Sequence, residues 1–158
     1  MKRSTRSTLG LGIGLVLVAI LIQFIPYGHD HSNPPVMQEP RWDSPQTRAL
    51  VKRACFDCHS NETVWPWYSN IAPISWLVYR DVSEGREHIN FSEWDMRPSM
   101  PEGEGGGEQH QHGPEVIREV LESGEMPPVP YLLLHPEARL SDEEILLLIE
   151  KLPAAASE

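Results

Sequence analysis

The apolar positions of this chain fall into one unbroken run followed by several periodic stretches. Leu9 to Ile25 reads LGLGIGLVLVAILIQFI, 17 positions in which Gln23 is the only polar side chain. As a helix this run would be about 26 Å long, close to the roughly 30 Å of a bilayer core, with Tyr27 at the interface. The pattern predicts a single transmembrane anchor over residues 9–27, a cytoplasmic basic stub at 1–8 and a body exported beyond Pro26. A cleaved signal peptide is the competing reading, although no A-x-A-like site follows Ile25. Both readings send the body to an exported compartment, so the expected location is the inner membrane with a periplasmic C-terminal domain.

Residues 28–43 (GHDHSNPPVMQEPRWD) are proline-rich without apolar periodicity and read as a tether. Helix signals begin at Ser44, a suitable N-cap with Pro45 in the first helical position before QTRALVKRACF. A second helix should start near Pro73 and carry Ile74, Leu77, Val78 and Val82 on one face, weakened by Gly85 and ending before Asn90. Residues 98–113 (PSMPEGEGGGEQHQHG) are Gly/Glu/His-rich and predict a flexible loop. Pro114 opens EVIREVLES, which Gly124 can terminate. Ser141 and Glu144 form a capping box ahead of ILLLIEKL. No strand-type alternation persists, so the expected fold is a small all-α domain over residues 44–152, with a tail at 153–158.

Composition narrows the function. Thirteen Lys and Arg face 23 Asp and Glu, for a net charge of -10. Lys2, Arg3 and Arg6 stand alone in the first eight residues, leaving 10 basic against 23 acidic residues, or -13, in the rest. Such a body repels nucleic acid, which is excluded as a partner. Trp65, Trp67, Tyr68, Trp76, Phe91 and Trp94 crowd one part of the chain. They form either an ordinary aromatic core or the walls of a large flat ligand.

The chemistry is concentrated in Cys55-Phe56-Asp57-Cys58-His59. C-x-x-C-H is the signature of c-type haem attachment. Two intervening residues put both sulfurs on one side of a turn, where each can form a thioether with one haem vinyl group. The adjacent histidine then offers a ring nitrogen to the iron as proximal ligand. A thioredoxin-type dithiol also uses C-x-x-C, but it opens a helix beside a βαβ unit, and none precedes it here. A zinc site would need a second pair of ligands from distant histidines.

The chain also resembles the small haem-binding-domain proteins, single-haem c-type proteins that often carry an N-terminal membrane segment. The resemblance rests on CFDCHSNET, WPWYSNIAPISWLV, EGREHINFSEW, GEMP at Gly124–Pro127 and YLLLHPEARLSDEE, in that order across Val51 to Leu152. The loop from about Met100 to Gly113 departs from it. The resemblance implies one haem c in a cytochrome c-like helical domain and leaves the reaction open.

Several of the seven histidines and five methionines are candidates for the distal side of the iron. Met126, in the proline-stiffened loop Gly124–Pro128, is the leading candidate and resembles the axial methionine of class I c-type cytochromes. His135, His88 and an empty sixth position are the alternatives. His29/His31 and His110/His112 are short pairs able to hold a divalent metal weakly. Arg80, Arg86, Arg97 and Lys52 could pair with haem propionates, and Glu102, Glu104 and Glu108 could guide a basic redox partner. The expected function is one-electron transfer to a membrane-associated redox protein after processing by the c-type maturation machinery. A small-ligand sensor, a peroxide-reactive haem enzyme and a purely structural haem remain open alternatives. No separate catalytic apparatus is visible.

Overall fold

The computed structural model describes residues 2–94 and 114–155. The loop at 98–113, with His110 and His112, lies outside the described residues, as does Arg97. Seven α-helices follow one another among those described: α1 (Lys2–Leu21), α2 (Pro45–Ala54), α3 (Phe56–His59), α4 (Ile74–His88), α5 (Pro114–Glu122), α6 (Val129–Leu134) and α7 (Asp142–Ala155). No strand occurs among the described residues, and a single isolated bridge joins Gln38 to Glu93. The all-α expectation therefore holds. Two compact units divide the chain, one of Met1–Ser32 with Trp65–Asp81 and one of Asn33–Val64 with Val82–Glu158.

The first unit corrects the expected anchor. No helix among the described residues is long and apolar enough to cross a membrane. The helical part of the apolar run ends at Leu21, and Ile22–Phe24 tightens into a 3₁₀ turn before the extended Ile25. From Leu9 to Leu21 that leaves about 20 Å of apolar helix, short of a bilayer core. Gln23, the polar residue of the run, explains the stop. Its amide donates to the carbonyls of Ala19 and Ala72, both at 2.9 Å, and accepts from the Ala72 N–H at 3.0 Å. A side chain with these partners belongs to a protein contact rather than to hydrocarbon. Nearby, Gly28 has φ +79°, and a Cβ there would lie 2.7 Å from the Ser75 carbonyl oxygen, so the close approach of the chain requires glycine.

The second unit is built on the predicted caps. Ser44 Oγ accepts from Thr47 N–H at 3.1 Å to start α2. Ser141 and Glu144 exchange bonds of 2.9 and 3.3 Å to start α7. Gly124, at φ +73°, turns the chain away after α5. The i, i+3, i+4, i+7 stripe of Ile145, Leu148, Ile149 and Leu152 packs α7 against Ile117 and Leu121 of α5 and Val51 of α2. Phe56 and Phe91 complete this core, with rings 5.7 Å apart, and Trp94 lies parallel to Phe91 at 5.5 Å.

Two further expectations change here. In α4 only part of the predicted face is buried: Val82 is 3% exposed as expected, whereas Ile74 and Leu77 are 43% and 52% exposed, and Ser75 and Gly85 are buried instead. Small residues admit close neighbours at these positions, which apolar spacing does not register. The supposed tether is likewise ordered over its second half. Met37 and Gln38 donate to the Ser92 carbonyl at 2.9 and 3.0 Å, Trp94 donates to Gln38, and Trp42 packs on the core. Its prolines prevent helix without preventing burial; Pro40 is buried.

Glu39 fixes this segment to α2. It receives Arg48 through two bonds of 2.6 and 2.7 Å, and Trp42 Nε1 at 2.6 Å. The guanidinium holds the Glu39 carboxyl below the usual carboxylate range. A depressed folded pKa adds stability above the ordinary carboxylate pKa, and that stability is lost as pH falls through the folded value. Glu39→Gln should therefore lower the urea midpoint at pH 7 by the equivalent of about 1 kcal/mol. The gap from wild type should close in acid, and a gap independent of pH would refute the assignment.

Candidate functional site

Helix α2 ends because Cys55 leaves helical geometry, at φ -125° and ψ -32°, while its N–H still closes on Val51 at 2.8 Å. The Cys55 carbonyl then accepts from Cys58 N–H at 3.2 Å and His59 N–H at 2.9 Å. This single turn, α3, sets the two cysteines three residues apart on one side, with the histidine next to them.

Each residue between the cysteines secures the turn. Phe56 enters the core, stacked on Phe91 and tilted against Trp42. Asp57 Oδ2 accepts from Tyr131 Oη at 2.8 Å, its Oδ1 from Val64 N–H at 3.0 Å, and its backbone carbonyl from Thr63 Oγ1 at 2.9 Å. After the motif, the His59 carbonyl accepts from Phe91 N–H at 2.8 Å and the Ser60 carbonyl from Arg86 Nε at 2.8 Å. Arg86 also donates to Thr63 Oγ1 and Asn33 Oδ1, both at 2.9 Å. Buried Asn61 is held by Ser92, Asn90 and Glu93.

The state of His59 follows from its partners. Nδ1 lies 2.8 Å from the Gly85 carbonyl and 3.1 Å from that of Ile89. Carbonyls only accept, so Nδ1 carries the proton and Nε2 keeps its lone pair. Burial also pushes the imidazole below the ordinary histidine pKa, which favours the neutral ring that a metal requires. Cys55 and Cys58 form no disulfide. Burial, followed by the neighbouring Cys58, pushes the Cys55 thiol up to about 12. A redox dithiol needs the opposite shift. No group of three or more His, Cys, Asp or Glu able to hold a metal ion occurs among the described residues, so the zinc reading gains no support. A neutral imidazole with a bare Nε2 beside two cysteines on one turn fits an iron porphyrin.

Residues 17–153 match the sequence model of the haem-binding domain. The chain belongs to the haem-binding domain family. No curated protein and no solved structure gives a significant match. The haem-binding domain model takes in the whole of the cysteine turn and the helices that hold it, and haem is the cofactor the family implies.

Among the other predicted residues of this haem-binding domain, Phe91 and Trp94 share the unit of Cys55, Cys58 and His59. Phe91 is a core residue, whereas Trp94 has a buried Nε1 with no partner among the described residues. Trp65, Trp67, Tyr68 and Trp76 belong to the other unit; Trp65 stacks on His31 at 4.5 Å and Trp67 is 76% exposed. Met126 is 38% exposed, with its N–H on the Val120 carbonyl at 3.2 Å. His135 stacks on Tyr131 at 4.4 Å, with Nδ1 3.3 Å from Glu137. The Tyr131–Asp57 bond ties the segment bearing Met126 and His135 to the cysteine turn. Of the propionate candidates, Arg86 is occupied as described, Lys52 pairs with Glu62 at 2.7 Å and Arg80 with Asp81 at 3.1 Å. Sequence reasoning missed Asp57, Tyr131, Gly85 and Ile89 as supports. Only Gly85 left a trace, as an isolated glycine in a helical pattern.

Proposed function

We propose that Cys55 and Cys58 hold the haem through two thioether bonds, that His59 Nε2 is the proximal iron ligand, and that the domain carries single electrons. The observation that carries this reading is the His59 ring, protonated at Nδ1 and bare at Nε2, beside two cysteines not joined by a disulfide. When bound, the haem supplies a one-electron ferric/ferrous couple. Each cysteine contributes its S–H across one vinyl group, sulfur to one carbon and hydrogen to the other, so no oxidant and no leaving group is needed. Phe56 and Asp57 fix the direction of the turn, and the carbonyls of Gly85 and Ile89 fix the imidazole. In this reading the domain is a small cytochrome c-like one.

Met126 is the distal ligand in this reading, and His135 the alternative. Tyr131, five residues after Met126, supports it by fastening the loop to Asp57. His/Met ligation raises the reduction potential, which suits a carrier. The 38% exposure of Met126 favours one second reading, a small-ligand sensor or peroxide-reactive haem with a displaceable sixth ligand. Thioether chemistry of this type belongs to the exported side of the bacterial membrane, so a periplasmic location, c-type maturation and a membrane-associated redox partner complete the proposal.

The test is an alkaline pyridine spectrum of the reduced protein made in cells with the maturation machinery. One thioether-linked haem per chain is expected, with its visible band at shorter wavelength than free haem b; a haem b spectrum rejects the reading. Met126→Ala should then open the ferrous protein to carbon monoxide, and an unchanged spectrum removes Met126 as ligand.

A further inference from the structure

Gly85 sits in the last full turn of α4, buried, at a position where helix propensity would favour almost any other residue. A Cβ built there would lie 2.5 Å from the Cys58 carbonyl oxygen, 3.0 Å from its carbonyl carbon and 3.1 Å from its Cβ. Backbone cannot give way as a side-chain tip can, so any side chain at this position separates α4 from the cysteine turn. The Gly85 carbonyl meanwhile accepts twice, from Ile89 N–H at 3.0 Å and from His59 Nδ1 at 2.8 Å. With the Ile89 carbonyl at 3.1 Å, the C-terminal carbonyls of α4 present the negative end of the helix to the imidazole.

The geometry points to Gly85 as a positioning residue of the haem site: its missing side chain lets α4 reach the cysteine turn, and its carbonyl, with that of Ile89, sets the orientation and electron donation of His59. This rests on His59 being the proximal ligand. A hydrogen-bonded Nδ1–H gives the ring partial imidazolate character, strengthens donation through Nε2 and favours ferric iron. Loosening that bond raises the reduction potential. No other glycine in a described helix has this role; Gly10, Gly12 and Gly14 of α1 have nothing within 4 Å of a built Cβ.

The experiment compares Gly85→Ala with Gly12→Ala in the full haem-loaded chain. Gly12→Ala should leave haem content, potential and spectrum unchanged. Gly85→Ala should lower the fraction of chains with covalent haem, and in the loaded fraction the potential should rise and the His59 Nδ1–H signal in nitrogen-resolved NMR should exchange faster. A loaded Gly85→Ala protein that has merely lost thermal stability, with potential and Nδ1–H unaltered, overturns the inference. Should Gly85→Ala load no haem, the wild type decides: a slowly exchanging Nδ1–H on an iron-bound His59 upholds it, and a rapidly exchanging one overturns it. Wild type with thioether haem but another proximal ligand sinks this inference while sparing covalent attachment. Wild type without thioether haem removes both.

Discussion

Cys55→Ala/Cys58→Ala should fold and yet release all of its haem into acidified organic solvent, whereas wild type should release none. The loss is expected to be complete because a thioether is covalent and the remaining grip would be coordination and contact alone. Folding should survive, since both cysteines are only partly buried and each change removes one heavy atom, for about 1 kcal/mol apiece. The caps, the Phe56 anchor and the Asp57–Tyr131 bond remain in place. Separating protein from extractable haem after denaturation gives the answer directly. Equal release by wild type and variant would mean the thiols do not hold the group.

Phe56→Ala should give the largest fall in stability among single changes at the motif, about 3–5 kcal/mol. Phe56 is 1% exposed and touches Phe91 and Trp42 through its ring, with the Arg48 guanidinium 5.4 Å from its centroid. Alanine would leave a cavity at the junction of α2, α3 and the core. Against a typical total of about 5–15 kcal/mol, that change is severe. The urea midpoint should drop correspondingly, and Phe56→Leu should recover much of the difference. A shift below about 1 kcal/mol would place the ring outside the core.

These two changes divide the motif by what sequence could and could not disclose. Haem as the cofactor is legible because five adjacent residues, Cys55 to His59, suggest it. The jobs of Phe56 and Asp57 are not, because they depend on Phe91 and Tyr131, far along the chain. Helix starts at Ser44 and Ser141 and the exit at Gly124 were readable because caps act within one turn. On α4 the burial of Val82 is legible, but that of Ser75 and Gly85 is not, because the rule follows apolar bulk and these two face inward by being small. The anchor was misread for a related reason: hydropathy averages over Gln23 and does not see its partner, Ala72. The segment before Ser44 looked like a linker because its order comes from bonds to residues about 50 positions later, such as Ser92 and Trp94.

The separation in sequence between His59 and the carbonyls that hold it has a consequence for how the site matures. Gly85 and Ile89 lie 26 and 30 positions from His59, and Tyr131 lies 74 from Asp57. Those loops must close, at an entropic cost, before the imidazole is locked. The two thiols need no such closure, being neighbours on any conformation of the chain. Under the proposed thioether linkage, attachment can therefore precede folding, with the haem carried as cargo by an open chain. On the same proposal, docking of α4 turns His59 from a loosely swinging ligand into a fixed one, and assembly of the iron site is the last step of folding rather than its beginning.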